Sequence, residues 1–331
     1  MNIEYLALSW YLLIGFVIML YVLLDGYDLG IGILSIFFKE KDRDIMVSVI
    51  MPVWDGNGTW LVFGGAALYG AFPMAFSTIL PSVYLPLMVM VVSLLLRGIS
   101  LEFRFKAEKT KKIWDIVFFM GSLIATICQA FVLSAFISGF LSADGSLIVR
   151  AWLNPIAIAS VPGLIVGYML LGSNRLIAKT DGVTQTRFFK ASNIIQYFLV
   201  LAMLLAAILS PYADKTLEHR WWDSSESKYF AILLILALWV FILHVMAINK
   251  RSEYTPFAYT IILFLISFLG LVLSTFPYLV PHTLTFLDAV APKTSLYFMF
   301  WGALVGVPFL LFYTGYAYYT FRGKVKETLK Y

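Results

Sequence analysis

The sequence predicts an all-α integral membrane protein, and three observations support this fold class. Of its 331 residues, 61% are hydrophobic and 13% are charged, whereas soluble domains carry about 25% charged residues. The apolar residues form runs long enough for helices of ~20 residues, the length that crosses a ~30 Å hydrocarbon core. Polar residues concentrate in short breaks between these runs. We therefore expect a single polytopic membrane domain over residues 1–331.

Nine apolar segments are predicted to cross the membrane. The first is the longest, and its start, MNIEYLALSWYLL, lacks the positive charges of a cleavable signal, so we expect this helix to remain in the mature protein. The predicted segments are 6–37, 46–71, 77–100, 114–140, 151–173, 188–210, 229–248, 257–280 and 294–320.

The distribution of basic residues predicts the orientation. With nine crossings, most of the 24 Lys and Arg residues fall in loops on one side, among them 39–43 and 104–112. By the positive-inside rule, this side is cytoplasmic, so the N-terminus is outside and the C-terminus is inside. The external loop 211–228 carries Trp221 and Trp222. We expect an interfacial anchor there, with a docking or lid role as the alternative.

Three carboxylates lie inside the first two predicted segments. Asp25 and Asp28 lie in LLDGYDLGIGIL, and Asp55 lies in MPVWDGNGTWLVFGG. An ionised side chain in a bilayer costs roughly 2.5–3.5 kcal/mol even on forgiving scales. At ~1.5 Å per residue, Asp28 and Asp55 lie roughly 14–16 Å from the cytoplasmic end, and Asp25 is one turn deeper. The three can share one layer, either as a proton path or as neutral carboxyls hydrogen-bonded between helices.

Local irregularity is predicted beside Asp55. Pro52 removes a helix hydrogen bond just before Trp54 and Asp55, so we expect a kink or a locally opened helix there.

Further charges cluster at the end of the third segment, in LLLRGISLEFRFKAEKTKK. Arg97 lies at or within the membrane boundary, and Glu102, Arg104 and Lys106 follow at the cytoplasmic mouth. A carboxylate among cations could admit protons to the deeper acids. The alternative is ordinary snorkelling and surface pairing, which we favour for Arg104 and Lys106.

The sequence offers few ligands for metals or haem. Its three histidines, at 219, 244 and 282, form no pair at helical spacing, and Cys128 is the single cysteine. A disulfide within the chain is thus excluded, and no haem-attachment or metal motif occurs. We therefore expect no redox centre and no metal in this chain. The basic residues lie at helix ends instead of forming one patch, so we expect no nucleic-acid partner.

Remaining polar and aromatic residues have ordinary interpretations. Gln129, Asn154 and Asn57 are scattered and are expected to form interhelical hydrogen bonds. The aromatic residues of the last segment, in FLLFYTGYAYYTF, predict an aromatic belt or a subunit contact.

Three blocks together resemble subunit II of the cytochrome bd-type quinol oxidases. They are LLDGYDLGIGIL, then MPVWDGNGTWLVFGGAALYGAFP, then LLLRGISLEFRFK, all within the first part of the chain. STFPYLVP and the terminal GVPFLLFYTGYAYYTFRGKV also look like this family. The middle of the chain, 140–260, agrees in hydropathy only.

The resemblance implies a fold and a function. The family's complexes oxidise membrane quinol, reduce oxygen to water and take protons from the cytoplasm. Haems b and d lie in subunit I, whereas subunit II carries none and has two four-helix bundles plus one peripheral helix. The expected partners are subunit I, membrane quinol and lipid, with small single-helix accessory subunits left open. Some members bind a structural quinone, for which this sequence indicates no residues. The implied location is the bacterial inner membrane.

The resemblance also implies residue roles. By motif, Asp55 lines the proton path, Glu102 is the acid at its cytoplasmic entrance, and Asp25 and Asp28 are the paired acids of the first block. The positions that would support this path are Trp54, Asn57, Arg97 and Lys106.

The chain departs from longer members of this family. It resembles the compact, often cyanide-insensitive subgroup, and Phe105 stands where some members carry a serine between the Arg and the Lys that follow the entrance acid. Two other functions stay open: a proton-coupled secondary transporter, in which acids near the midplane bind substrate, and a purely structural assembly subunit.

Overall fold

The structure is a computed structural model that describes residues 2–107, 109–142, 144–213 and 227–325. Most of the predicted external loop 211–228, with His219, Trp221 and Trp222, lies outside the described residues.

The described chain is helical apart from loops and one two-stranded hairpin, which confirms the all-α fold class. Eight helices are long and apolar enough to cross a membrane, and the three between α1 and α5 are shorter or more polar. The helices are α1 (Ile3–Ser35), α2 (Glu40–Ile50), α3 (Trp54–Ala71), α4 (Pro73–Ser82), α5 (Tyr84–Arg104), α6 (Lys111–Ser138), α7 (Ala157–Lys179), α8 (Gly182–Ala213), α9 (Ser227–Asn249), α10 (Thr255–Thr275) and α11 (Lys293–Thr320).

The second predicted segment, 46–71, is not one helix. It is divided between α2 and α3 by a turn at Met51–Val53, where Val53 leaves helical geometry with ψ −14° at φ −132°. Pro52 lies in this turn, so the opened helix predicted there is confirmed. Since Pro52 has no N–H to donate, the helix restarts at Trp54 with a new axis.

The third predicted segment, 77–100, is also interrupted. It begins earlier, at Pro73, and breaks at Val83, which has φ −121° and ψ 19°. Pro81 and Pro86 flank this break, and both lack the N–H that a continuous helix requires. The second half, α5, then runs straight to Arg104 and carries Arg97 and Glu102.

Other predicted boundaries differ from the structure by five or six residues. The fifth segment, 151–173, forms a helix only from Ala157, whose N–H donates to the Asn154 side chain at 3.1 Å, and this helix extends to Lys179. The eighth segment, 257–280, ends as a helix at Thr275. Pro277 holds Phe276 in extended geometry, and Tyr278–Val280 then pairs with Leu284–Thr285 as an antiparallel hairpin, β1 and β2.

Helix α1 lies at the centre of the fold and packs against α3, α6 and α7. Its crossing with α7 is very close. A Cβ atom on Gly30 would lie 1.8 Å from the Tyr168 carbonyl oxygen, and one on Gly172 would lie 2.7 Å from the Ile31 nitrogen. Only glycine fits at such a crossing, and the close approach brings the acidic turn of α1 against neighbouring helices.

Ion pairs connect the basic segments at one end of the molecule. Arg43 and Arg104 both lie against Asp115, at 3.4 and 2.5 Å, which joins α2 to the α5–α6 hairpin. At the same end, Lys324 lies 2.6 Å from Asp181. These are loops that the charge distribution predicts on one side.

The loops at the opposite end of the molecule are also joined to one another. The Ala291 N–H donates to the Ala71 carbonyl at 2.9 Å, which ties the end of α3 to the segment after the hairpin. The apolar core has two main parts, one around Trp10, Phe72 and Phe140 at this end and one around Met46 and Phe188 at the basic end. The buried acids of α1 lie towards the basic end.

Candidate functional site

The acidic turn of α1 is completely enclosed by protein. Asp25 and Asp28, spaced i, i+3, are both 0% exposed. Between them, Gly26 lies so close to Tyr168 of α7 that a Cβ atom would be 2.6 Å from the ring. The two carboxyls are therefore shielded from lipid and bulk water, and their partners must come from neighbouring helices.

Asp25 is paired with a buried arginine. The Arg97 Nη1 atom of α5 lies 2.7 Å from Asp25 Oδ1, and the side chains are 4% and 0% exposed. Arg97 reaches α1 because α5 and α6 are in close contact, with Gly121 beside the Arg97 backbone. Arg97 is one of the supporting positions that the sequence predicts, and the structure brings it together with Asp25. Each charge compensates the other in a site without water.

Asp28 has a different set of partners. Asn57 of α3 donates from Nδ2 to Asp28 Oδ2 at 2.8 Å and to the Leu24 carbonyl at 3.1 Å. No cation is paired with Asp28 among the described residues, and its Oδ1 atom has no hydrogen-bond partner there. Asp28 is thus a buried carboxyl held by an amide, with one oxygen left available.

The network continues through two tyrosines. The Tyr318 hydroxyl of α11 donates to Asn57 Oδ1 at 3.1 Å and lies 2.6 Å from the Tyr27 hydroxyl. A chain of polar groups therefore runs from Asp28 through Asn57 to Tyr318. We call these four residues, Asp28, Asn57, Tyr27 and Tyr318, the Asp28 network.

An arginine lies over the aromatic part of this network. The Arg175 guanidinium of α7 is 5.3 Å from the ring centroids of Tyr27, Phe257 and Tyr318. Cation–π contacts of this kind stabilise a charge that has left water. Sequence reasoning missed Arg175 because it placed the end of this helix at residue 173.

A second polar chain lies beside Asp25. Gln129 of α6 donates from Nε2 to the Tyr21 hydroxyl at 2.7 Å and accepts a bond from the Tyr168 hydroxyl at 2.7 Å. The predicted interhelical role of Gln129 is thereby confirmed. Tyr21 lies one turn before Asp25 on α1, so this chain extends the polar interior from Asp25 to α6 and α7.

Asp55 does not join the other two carboxyls. Its side chain is exposed on the outside of α3, whereas Asn57 is buried. Two residues advance an α-helix by about 200°, so Asp55 and Asn57 point to opposite sides. Asp55 has no ion pair with a described residue. It is one end of an exposed stripe with Thr59, Val62 and Tyr69.

Glu102 and Lys106 also face outwards. Both are exposed near the end of α5, and neither contacts Asp25 or Asp28. Trp54 is partly buried, and its ring lies against Gly98, where a Cβ atom would be 2.9 Å away. This contact brings the start of α3, with Asp55, beside the last turns of α5.

The expectation that Arg104 makes ordinary surface pairs is wrong. Arg104 is 0% exposed and lies 2.8 Å from Asp44 of α2 and 2.5 Å from Asp115 of α6. Lys111 lies 2.8 Å from the same Asp44. Two acids from different helices surround the guanidinium, so it fixes α2 against the α5–α6 hairpin.

A third buried polar cluster joins α7 to α8, α9 and α10. Asn174 approaches His244 Nε2 at 2.9 Å, donates to Thr260 at 2.7 Å and accepts from Ser192 at 2.6 Å. These bonds explain why α7 continues past residue 173. Within the described ranges, no three His, Cys, Asp or Glu residues form a group that could hold a metal.

The whole-chain match is to one membrane protein family. The family model described as cytochrome bd terminal oxidase subunit II matches residues 6–321. The chain belongs to this family. It is therefore a multi-pass bacterial inner-membrane subunit of a respiratory oxidoreductase, and the family part of the sequence resemblance is confirmed.

Curated relatives align over nearly the full length. The chain is 28% identical to the cytochrome bd ubiquinol oxidase subunit 2 of Bacillus subtilis, covering 97% of this chain and 98% of the relative. It is 24% identical to the cytochrome bd-I ubiquinol oxidase subunit 2 of Escherichia coli K12, covering 98% and 96%. A chain of the bd oxidase from Geobacillus thermodenitrificans has the same fold, with a TM-score of 0.79 at 17% identity, covering 92% and 95%.

Proposed function

We propose that this chain is the haem-free subunit of a bd-type quinol:oxygen oxidoreductase, packed against a haem-bearing subunit I. Its relatives in Bacillus subtilis and Escherichia coli are ubiquinol oxidase subunits, which supports this assignment. In this proposal, electrons pass from membrane quinol to oxygen at the partner's haems b and d. This chain contributes the wall of a cytoplasmic proton-uptake path and no redox centre.

The observation that carries the proton path is the exposure of Asp55 on a transmembrane helix. Its neighbours on the same stripe of α3, Val62 and Tyr69, are apolar or aromatic. A carboxylate facing lipid is strongly unfavourable, so this stripe needs a protein partner or a water-filled channel against it. Subunit I seated on the outer side of α3 and α5 would supply both, with Glu102 and Lys106 at the cytoplasmic entrance.

The enclosed acids take different roles in this proposal. Asp25 is compensated by Arg97 at 2.7 Å, and such a pair holds α1 to α5 more readily than it exchanges protons. Asp28 forms no ion pair among the described residues and is held instead by the neutral Asn57 amide at 2.8 Å. We therefore assign the protonatable role in the interior to Asp28, reached through Asn57, Tyr27 and Tyr318, and a structural role to Asp25.

Nine membrane crossings are part of the proposal. Helix α3 begins at the basic end and finishes at Ala71, which is bonded to the segment after the hairpin at the opposite end. A crossing by α3 raises the eight long apolar helices to nine crossings. An odd number of crossings puts the two termini on opposite sides, and in this proposal the N-terminus is external and the C-terminus is cytoplasmic. The proposed arrangement is two four-helix bundles and a peripheral helix. Membership of the compact, cyanide-insensitive subgroup is tested by cyanide titration of oxygen uptake.

The test of this function is purification through a tag on this chain from native membranes in mild detergent. The proposal predicts haem b and haem d bands in the reduced-minus-oxidised spectrum, a second large membrane polypeptide and quinol-dependent oxygen uptake. A haem-free preparation of this polypeptide alone, with substrate-driven proton flux in liposomes, would support a secondary transporter instead.

The Asp25–Arg97 pair is also compatible with one alternative, a structural assembly subunit. Buried ion pairs between helices specify packing in either case, so this pair does not separate the two functions. They are separated by turnover per haem in variants of the exposed acids, because an assembly subunit needs no titratable group at Asp55 or Glu102.

A further inference from the structure

Helix α11 buries little of its surface against the rest of this chain. In its most apolar part, 11% of the residues are buried within the chain, compared with 39% for α1. Yet Tyr318, near its last turn, reaches the interior and bonds to Asn57 and Tyr27. Within this chain, a further constraint on the end of α11 holds this hydroxyl within hydrogen-bond distance of both partners.

That constraint lies directly after the helix, in residues 321–325, which we call the C-terminal latch. Lys179, the last residue of α7, donates from Nζ to the carbonyls of Phe321 and Gly323. The Val325 N–H donates back to the Lys179 carbonyl at 2.8 Å. The latch is therefore bonded through its backbone to the end of α7.

A second set of contacts is ionic. Lys324 lies 2.6 Å from Asp181 and 2.7 Å from Glu253, so one cation joins the start of α8 to the start of α10. Gln185 also donates to Glu253 at 3.3 Å. The hydrogen bonds that Lys324 donates to Asp181 and to Glu253 raise the pKa of Lys324 above its usual range, and the bond from Lys324 lowers the pKa of Glu253.

Helix α7 connects the latch to the Asp28 network. Arg175 and Lys179 are spaced i, i+4 and so lie on one face of α7. The Arg175 guanidinium lies 5.3 Å from the centroid of the Tyr318 ring. Lys179 binds the latch, which begins three residues after Tyr318, at Phe321. Tyr318 is thus fixed from the side by Arg175 and from its C-terminal end by the latch.

We propose that the C-terminal latch positions Tyr318 in the Asp28 network, with Lys179 and Lys324 as the positioning residues. Opening the latch frees the last turns of α11, and the Tyr318 hydroxyl then leaves Asn57. The effect on turnover rests on the proposed protonatable role of Asp28, whereas the effect on the position of α11 does not.

The test uses the purified complex with Lys324→Met, Lys324→Arg and a matched control, Lys112→Met, which removes an exposed lysine at the same end of the molecule. Hydrogen exchange of the backbone around 316–325 reports the latch. We expect roughly tenfold faster exchange in Lys324→Met, as local opening becomes easier, and wild-type exchange in Lys324→Arg and Lys112→Met. Unchanged exchange in Lys324→Met overturns the latch, whatever the function of the complex.

Turnover in a double-mutant cycle with Tyr318→Phe tests whether the latch acts through Tyr318. We expect Lys324→Met to lower quinol oxidase turnover two- to fivefold alone (an order-of-magnitude figure for a misplaced hydrogen-bonding group) and to cause no further loss with Tyr318→Phe. Losses that multiply would overturn the connection to Tyr318. Faster exchange with wild-type turnover in both single variants would uphold the latch and contradict the protonatable role of Asp28.

Discussion

The acids of this protein lie in two regions that differ in exposure and in the partners of the carboxyl groups. In the interior, Asp25 and Asp28 are fully enclosed, one beside Arg97 and the other beside Asn57. On the outside of α3 and α5, Asp55 and Glu102 are exposed and form no ion pair with a described residue. A carboxylate paired with a buried cation fixes the packing of helices, whereas one that faces an open surface can exchange protons with water.

This difference determines what substitution should reveal. At the Asp25–Arg97 pair, removing one charge leaves its partner buried and unpaired, so the fold or the assembly of the complex should fail first. At the surface, removing a charge leaves the packing intact, so any loss must appear in turnover. The predictions below test this contrast between interior and surface acids, from the largest expected effect to the smallest.

The largest effect is expected for Arg97→Gln. It leaves Asp25 without its cation at a site that is 0% exposed, and breaking a buried pair costs about 3–5 kcal/mol. The amount of assembled complex per membrane protein, measured from haem absorbance, should fall severely. The double variant Arg97→Gln with Asp25→Asn removes both charges and should recover much of it. Full assembly of Arg97→Gln alone would show that the pair does not hold the fold.

The next effect is expected for Glu102→Gln. The exposed carboxyl makes no packing contact that the amide would lose, so haem content should stay normal. Turnover should fall roughly 10- to 100-fold if Glu102 passes protons, the range of a lost acid–base group. Glu102→Asp should retain more activity, and Asp144→Asn, which removes an exposed acid at the other end of the molecule, serves as the control. Equal turnover of Glu102→Gln and wild type would remove Glu102 from the path.

A smaller effect is expected for Asp28→Asn. The new side-chain oxygen can still accept the bond from Asn57, so the complex should assemble with normal haem content. Turnover should decrease about three- to tenfold, since the group no longer titrates but the exposed path remains. If Asp28→Asn instead lost haem, Asp28 would be required for assembly of the complex, as is expected for Asp25.

The smallest effect concerns pH and the C-terminal latch. The bond from Lys324 lowers the pKa of Glu253 below its usual 4.5, so the contribution of Glu253 to stability is present above pH 4.5 and is lost as the pH falls through the lowered value. The pKa of Lys324 is raised above 10.5, so its contribution is present below pH 10.5 and is lost only as the pH rises through the raised value. Glu253 and Lys324 should therefore add no step to hydrogen exchange around 316–325 between about pH 5 and 10 after correction for intrinsic rates. A step in this range that is lost in Lys324→Met would contradict this account, whereas one that persists would come from another latch residue such as Lys179.

Much of the architecture follows from the sequence because long apolar runs and Pro52 act locally. Hydropathy predicts the fold class and most helices, and Pro52 predicts the turn before Trp54. The failure at 173 has a tertiary cause, whereas the one at 280 follows locally from Pro277. The polar residues after Ser173 are buried because Ser192, His244 and Thr260 from other helices satisfy Asn174, and no single-segment pattern contains that information.

The site was predictable in its acids and less so in their partners. The motifs select Asp25, Asp28, Asp55, Arg97 and Asn57, because charges in apolar helices are conspicuous. They do not show that Asp55 faces away from the other two, which depends on how α3 rotates after its break. Tyr318 was missed because its sequence context is that of an aromatic belt, and Arg175 because its context is that of a helix end. Neither context differs in composition from that of an interior polar network.

The most direct test of this account is turnover per haem d in Asp55→Asn, purified as the intact complex. The variant keeps the size of the side chain and removes only its ability to titrate at an exposed position. The account predicts wild-type haem b and d content and quinol oxidase turnover reduced at least tenfold. Wild-type turnover with wild-type haem content would contradict the proton path on the outside of α3, and loss of haem would place Asp55 among the residues of assembly.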